Sequence, residues 1–419
     1  EGGVYVLNGS AGSGKTFTLK IILEILKGVY RENKKPIKVK VLAPTGKASK
    51  VASKATGLEA STIHRGLEYM EGKGFQRNKE NTLEENILVV DETSMMDVFL
   101  ADSLFEAIAT GTKVILLGDT KQLPSVGAGN VLHDIINSGV VEVVTLNVVK
   151  RQGIDSGLNE NATKIIDGKM IETNEDTKDS FVLHEEEDSA IQKKTLQSIN
   201  RLLQYPNYTF EDIQVLVPQK RGSIGVYEMN RLIQQTFNKE NNPLEIRNIL
   251  SPNVKLYFKK GDKVIHIRNN YDKVWYDLEN GTYKKQQTSG ITNGETGVIV
   301  DIIQRPPALG EKKSKKEIIV KYESGYMFYE EGEEIKDLDH AYCLSIHKSQ
   351  GSQWKAVIMP ISKQHAFFLD RNLVYTAWTR SQEFGAVIGP KKTLAMSIKK
   401  LNSIKRYTEL QRYLVDLFQ

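Results

Sequence analysis

Gly9-Ser10-Ala11-Gly12-Ser13-Gly14-Lys15-Thr16 follows the apolar run Val4 to Leu7 and precedes the apolar-periodic segment Phe17 to Leu26. A strand, a glycine-rich loop and a helix start, in that order, build a phosphate cradle. Gly9, Gly12 and Gly14 let the backbone turn tightly, so that amide N–H groups from Ser10 to Ser13 and the positive helix end converge on a polyphosphate. Lys15 answers the outer phosphates. Thr16 is placed to hold Mg²⁺ through its hydroxyl. A ligand-free glycine turn could carry the same letters; the strand and helix flanks favour the cradle. The reading is a nucleotide site, with its use still open.

The chain has 419 residues, too many for one ordinary core, and its 40% apolar composition can fill two or more. Lys and Arg number 57 against 52 acids, a net charge of +5, so a polyanion must be bound by local placement of charge rather than by a global field. The single cysteine, Cys343, excludes an internal disulfide framework. No apolar run approaches the roughly 18 residues a membrane span requires. A soluble protein of a reducing compartment is expected, with no membrane partner. The chain opens at Glu1, without an initiator methionine and just before its first strand, and further sequence is expected upstream.

Short apolar, β-branched runs alternate with helical segments: Val4 to Leu7, Lys38 to Ala43, Ile87 to Val90, Lys113 to Leu117 and Val140 to Leu146. That alternation predicts an α/β fold with a parallel sheet covered on both faces. A second α/β half is expected from Arg151, with strands at Ile213 to Val217, Tyr342 to Ile346, Val357 to Pro360 and Phe384 to Ile388. Between 259 and 336 the texture turns to short alternating strands rich in Tyr and Trp, with Asn280-Gly281 and Asn293-Gly294 as turns. This predicts a small β-barrel inserted in the second half. The expected organisation is therefore 1–150, then 151–258 and 337–419 as the two parts of the second half, with 259–336 between them. Glu68 to Glu85 interrupts the first half as a projecting hairpin or a surface loop.

Asp91-Glu92 ends the buried run Ile87 to Val90, at the strand end where doubly wound sheets place ligands. Asp91 would hold Mg²⁺ through water and Glu92 would orient and deprotonate an attacking water. An acidic pair there also serves as a helix cap; its place after a phosphate loop favours hydrolysis, which needs a metal anchor and a base. Asp119 and Gln122, at the next strand end, are positioned to sense a γ-phosphate. His340, Cys343 and His347 fail as zinc ligands, because Cys343 faces away from His340 along a strand and only one thiolate is available.

The ordered set GSAGSGKT, APTGKA (Ala43 to Ala48), STIHR (Ser61 to Arg65), VVDETSMMD (Val89 to Asp97), LLGDTKQLPSVGAGN (Leu116 to Asn130), SIHKSQG (Ser345 to Gly351) and YTAWTR (Tyr375 to Arg380) resembles the superfamily 1 DNA helicases, most nearly the RecD-like and Dda-like branch. The resemblance spans nearly the whole chain. It implies two RecA-like motor domains, a pin at 68–85, an SH3-like insertion, ATP as fuel with Mg²⁺, and 5′ to 3′ movement on single-stranded DNA that unwinds a forked duplex. In that family Arg380 matches the arginine finger, Arg151 a second phosphate-contacting arginine and Gln122 the γ-phosphate sensor, while Gly351 joins the nucleotide set. Pro44, Thr45, Lys47, Thr62, His64, Ser345, His347, Lys348 and Gln350 match positions lining the DNA channel, gripping the backbone so that any sequence can pass. Phe75, Gln76 and Arg77 are expected near the pin tip, with Phe75 on the terminal base pair. Tyr271, Trp275 and Tyr276 are either base-stacking groups or barrel core. Gln353 stands where the family has Glu, and nothing before Gly9 forms the family's adenine-reading glutamine motif. A monomer in the cytoplasm of a bacterium or phage-infected host, with single-strand-binding or replisome proteins as partners, completes the expectation.

Overall fold

Ile87–Val90 is the most deeply buried strand of the first half, and its alternation explains the architecture. Ile87 and Val89 pack on one face with Leu7, Val41 and Leu117, against Leu19 and Leu23 of helix Lys15–Glu32. Leu88 and Val90 pack on the other face with Val6, Leu42 and Leu116. A strand buried on both faces reads as an unbroken apolar run, which is how parallel sheets are written. In this computed structural model residues 2–146, 156–241, 243–247, 255–307, 314–401, 406 and 408–418 are described.

The first sheet has six strands in the order Ala60–Thr62, Val39–Ala43, Ile87–Val90, Lys113–Gly118, Gly3–Gly9, Glu142–Leu146. Every pairing in it is parallel. The strand Ala60–Thr62 has no apolar signature of its own and is recruited by pairing with Val41–Ala43, which brings Thr62 beside the end of the neighbouring strand. A second, five-stranded parallel sheet runs Cys343–Ser345, Ile213–Val217, Trp354–Pro360, Ser381–Gly389, Ser180–His184. Ser180–His184 was not anticipated; it carries only the short apolar run Phe181 to Leu183, and its side chains are mostly half-buried.

The tyrosine-rich segment forms a seven-stranded antiparallel sheet, from Thr282–Ile291 at one edge to Lys263–His266 and Leu338–His340 at the other. It therefore reaches past residue 336, and the ladder Leu244–Arg247 with Lys255–Phe258 adds Leu244, Leu256 and Phe258 to its core. Trp275 is buried in that core and donates its indole N–H to Gly290 O at 2.9 Å. Tyr276 packs edge-on against Phe328 at 4.8 Å, whereas Tyr271 is 47% exposed.

The hairpin in 68–85 is short. Tyr69–Met70 pairs with Gly74–Phe75, so its tip is Glu71-Gly72-Lys73. Phe75, Gln76 and Arg77 thus lie at its base instead of near its tip: the amides of Gln76 and Arg77 both donate to Leu67 O, and Arg77 pairs with Glu68 at 2.9 Å. Phe75 packs on His64 and Tyr69, at 5.5 and 5.1 Å between ring centres. Tyr69 and Met70, each 50% exposed, are the apolar side chains the hairpin offers to solvent.

The chain ends by returning to the first half, where helix Leu410–Phe418 packs on helix Val131–Ser138. No helix among the described residues is long and apolar enough to cross a membrane.

Candidate functional site: a nucleotide loop joined to a groove

Helix Lys15–Glu32 begins at Gly14, whose φ of 87° belongs to the left-handed region that favours glycine, and no side chain caps it. Its first amides are therefore free for an anion at the positive helix end. Lys15 Nζ donates to Gly9 O at 2.6 Å and Ser10 O at 3.1 Å, folded back on the loop it serves. Ser13 Oγ is buried there without a partner, an orphan that a phosphate oxygen would satisfy.

Asp91 and Glu92 stand at the end of their strand, as expected. Burial first, and the Glu92 charge second, push the Asp91 carboxyl up to about 6, against the pull of the Glu92 amide, which it accepts at 2.8 Å, and of Lys15. Glu92 has φ 52°, a strained conformation for a side chain without local hydrogen bonding to favour it. Backbone strain and a carboxyl pushed up by burial coincide at the two residues assigned to hydrolysis.

The loop after Lys113–Gly118 makes the junction between the halves. Asp119 accepts from Gln122 Nε2 at 3.3 Å and from the Tyr375 hydroxyl at 3.1 Å. Through that phenol, helix Arg371–Trp378 of the second half reaches the strand-end acid of the first. Arg380 is 1% exposed and donates to Gln122 Oε1 at 2.8 Å, Thr376 O at 3.1 Å and Ser352 O at 3.2 Å. These partners are all neutral oxygens, so this buried cation still lacks a counter-charge from them. Leu123 N donates to Thr376 Oγ1 at 3.0 Å and Asn372 to Gln122 O at 3.3 Å. Arg151 lies outside the described residues.

A groove of about 300 Å³ opens on the other side of this junction. Pro44, Thr45 and Lys47, Thr62 and His64 line it from the first half; His347, Lys348 and Gln350 line it from the second. Thr45 Oγ1 accepts the Ala48 amide and Thr62 Oγ1 the Arg65 amide, capping two helices, yet each hydroxyl keeps its hydrogen to donate. Burial pulls His64 and His347 below the usual imidazole range, making them neutral donors at pH 7. Burial also brings Lys47 down to about 8, with its ammonium 4.7 Å from the centre of the Trp354 ring. Gln350 Nε2 donates to Leu123 O at 3.2 Å, so one side chain joins the groove to the phosphate-sensing loop.

Residues 1–188 match the family described as an AAA domain, and residues 340–386 match the UvrD-like helicase C-terminal domain. The sequence is 29% identical over 378 residues to the ATP-dependent RecD2 DNA helicase of Deinococcus radiodurans, covering 90% of this chain and 46% of that protein. It is 27% identical over 431 residues to the RecBCD enzyme subunit RecD of Mycobacterium tuberculosis, covering 95% and 68%. Over nine-tenths of its length the chain is thus similar to RecD-like helicases of superfamily 1. It spans about half the length of the Deinococcus relative. This RecD-like chain also shares its fold with Bacteroides Pif1 bound to ssDNA, at a TM-score of 0.53 and 18% identity over 94% of this chain and 90% of that one.

Three expected members of the RecD-like site stand elsewhere. Gly351 faces the groove wall, where a Cβ would lie 3.2 Å from Ala48 and 3.4 Å from Thr45, instead of the phosphate loop. Ser345 is buried in its strand beside Val217, and Phe75 stands behind His64; neither lines the groove. Met95, Asn269, Tyr271, Asn293 and Gly294 do line it. Asn293-Gly294 had announced only a turn, and nothing local in the sequence tells which groove a turn will face. Gln353, in place of the family's Glu, accepts from Gln382 at 3.1 Å. The zinc reading finds no support: His340 turns to Asp262 and Gln234, and Cys343 is buried in the core of the second half.

Proposed function

We propose that this chain is an ATP-dependent DNA helicase that moves 5′ to 3′ along single-stranded DNA and parts a forked duplex. The observation that carries this reading is the bond path Arg380–Gln122–Leu123–Gln350, which runs from the buried arginine that matches the family's finger to the groove and crosses between the halves twice. An arrangement of that kind lets nucleotide state bias the grip on a strand. The names of the Deinococcus relative and of the ssDNA-bound Bacteroides structure support the same reading. The direction follows the branch rather than any local feature.

In this proposal Lys15, the loop amides and Ser13 bind the phosphates of ATP, and Arg380 supplies the cation that faces charge developing at the γ-phosphate. Asp91 and Thr16 fit Mg²⁺, since a buried carboxylate raised by burial and by Glu92 is relieved by a cation. Mg²⁺ would neutralise phosphate charge there. Glu92 accepts the proton of the attacking water. Thr45, Thr62, His64 and His347 donate to DNA phosphates without base reading, and Lys47 and Lys348 add charge. Tyr69 and Met70 meet the duplex junction. Single-strand-binding or replisome proteins are the expected partners of a monomer.

A strand-displacement assay with a 5′ tail, a 3′ tail or no tail tests this. ATP-dependent release from the 5′-tailed duplex alone is expected, and Lys15→Ala should abolish it together with hydrolysis. Hydrolysis indifferent to DNA would sink the motor reading. DNA-stimulated hydrolysis without strand release would instead point to a translocase that clears bound proteins, a reading favoured by the polar hairpin tip Glu71-Gly72-Lys73.

A further inference from the structure

Cys343–Ser345, Ile213–Val217 and Trp354–Pro360 lie side by side and parallel, so the loops that follow them emerge at one edge of the second sheet. The loop after Cys343–Ser345 gives the groove its His347, Lys348 and Gln350. The other two continue that edge beyond the groove. They touch each other: Gln364 Nε2 donates to Ser223 Oγ at 3.4 Å, and a Cβ at Gly222 would stand 2.8 Å from the Gln364 amide. Each also lies within electrical reach of the groove. Lys348, lowered first by burial, feels the Lys220 charge as well, and His347, lowered first by burial, feels that of Asp370.

The loop from 362 to 370 is anchored on both sides and bare between its anchors. Ser362 N donates to His365 Nδ1 at 3.1 Å, and the amides of Phe368 and Leu369 donate to His365 O at 3.0 and 2.9 Å. His365 and Leu369 are buried, and Lys400 Nζ donates to Phe367 O at 2.6 Å. Phe367 nevertheless stands 86% exposed and Phe368 61%. Two adjacent phenyl rings turned to water from a fixed backbone add little burial to the fold. The charge nearby suits a polyanion. Lys363 is taken by Glu186 and Glu187, and Asp370 accepts the Leu373 amide as a helix cap. Lys220 and Arg221 are exposed and form no ion pair among the described residues.

We propose that Phe367 and Phe368 form a stacking platform for the bases of single-stranded DNA where the strand leaves the groove across the second half. Lys220 and Arg221 supply charge for its phosphates. The proposal rests on the reading of the groove as a single-strand site. A phenyl ring makes no hydrogen bond to a base edge, so it stacks on every base alike, as a strand of any sequence requires.

The test is an abasic scan. The shortest oligothymidine that binds at full affinity is used, so that its register is fixed, and a pair of abasic sites is moved along it. Dissociation constants are read by fluorescence anisotropy. With the native chain, abasic sites near one end should weaken binding about tenfold. Phe367→Ala with Phe368→Ala should weaken binding of the intact oligomer about as much and lose nothing further to abasic sites at that end. Leucine at both positions keeps apolar bulk without a ring and should behave like alanine, whereas tryptophan at both should keep the native affinity. A flat scan with the native chain, an abasic loss as large in the alanine variant, or native behaviour with leucine overturns the platform. The first of these outcomes would leave the two rings to a protein partner. No binding of any oligomer by the native chain removes the single-strand reading itself, and the platform with it.

Discussion

Asp91 shows how a site stores cost in one residue. Its carboxyl is raised to about 6, so between about pH 4 and 6 the folded chain binds more protons than the unfolded one, and stability is lost as pH rises through that window. A displacement of about two units corresponds to roughly 2–3 kcal/mol at neutral pH. Asp91→Asn should therefore melt a few degrees above the native chain at pH 7.5 and close to it at pH 4. Thermal melts across that range without nucleotide check the sign; a variant less stable at pH 7.5 would mean that Asp91 is held by partners that stabilise its charge. Hydrolysis should be lost in the same variant. The strained backbone of Glu92 beside it places a second cost at the same spot.

Among elements, the returning C-terminal helix depends on one arginine. Arg406 donates to Gly127 O at 2.7 Å, Gly129 O at 2.6 Å, Ser125 O at 2.6 Å and Ser125 Oγ at 3.1 Å, and Thr408 bonds Asp134. Charge-assisted bonds of this kind are the strong ones, and a planar guanidinium facing these four acceptors fixes the loop that follows the phosphate sensor. Arg406→Ala should cost about 2 kcal/mol locally and release helix Leu410–Phe418 from helix Val131–Ser138. Hydrogen exchange reads this directly: amides from 125 to 138 should exchange faster, with the five-stranded sheet unchanged. Equal acceleration in both halves would show that Arg406 supports the global fold instead.

The whole molecule works, in this proposal, by one coupling. Gln350 lines the groove and holds Leu123, next to the Gln122 that receives Arg380. Gln350→Ala should leave DNA-free hydrolysis near the native rate and cut stimulation by single-stranded DNA about tenfold, a coupling of about 1.4 kcal/mol. Steady-state hydrolysis with and without a DNA oligomer measures it. Full stimulation in the variant would route the coupling elsewhere, through Thr376 and Leu123 N for example.

The parallel sheets were legible because each strand carries its own apolar run, as Ile87–Val90 and Ile213–Val217 do, and the phosphate loop because its glycines answer a backbone need that is local. Ala60–Thr62 was not, since its strand state comes from the neighbour it pairs with, and the run Phe181 to Leu183 is too short to mark Ser180–His184 by itself. Gly351, Ser345 and Phe75 moved from their expected places for the same reason: a motif names residue types, while packing decides which way each one faces. Letters alone could not tell that Gly46 must be bare for Thr292, or that Lys50 meets Glu295 across 245 positions of chain. Sequence determined the loop, the strands and the acids, because those depend on neighbours along the chain. Only the tertiary structure decided which groove the two halves and the inserted sheet line, because contacts between distant segments leave no periodic trace in either.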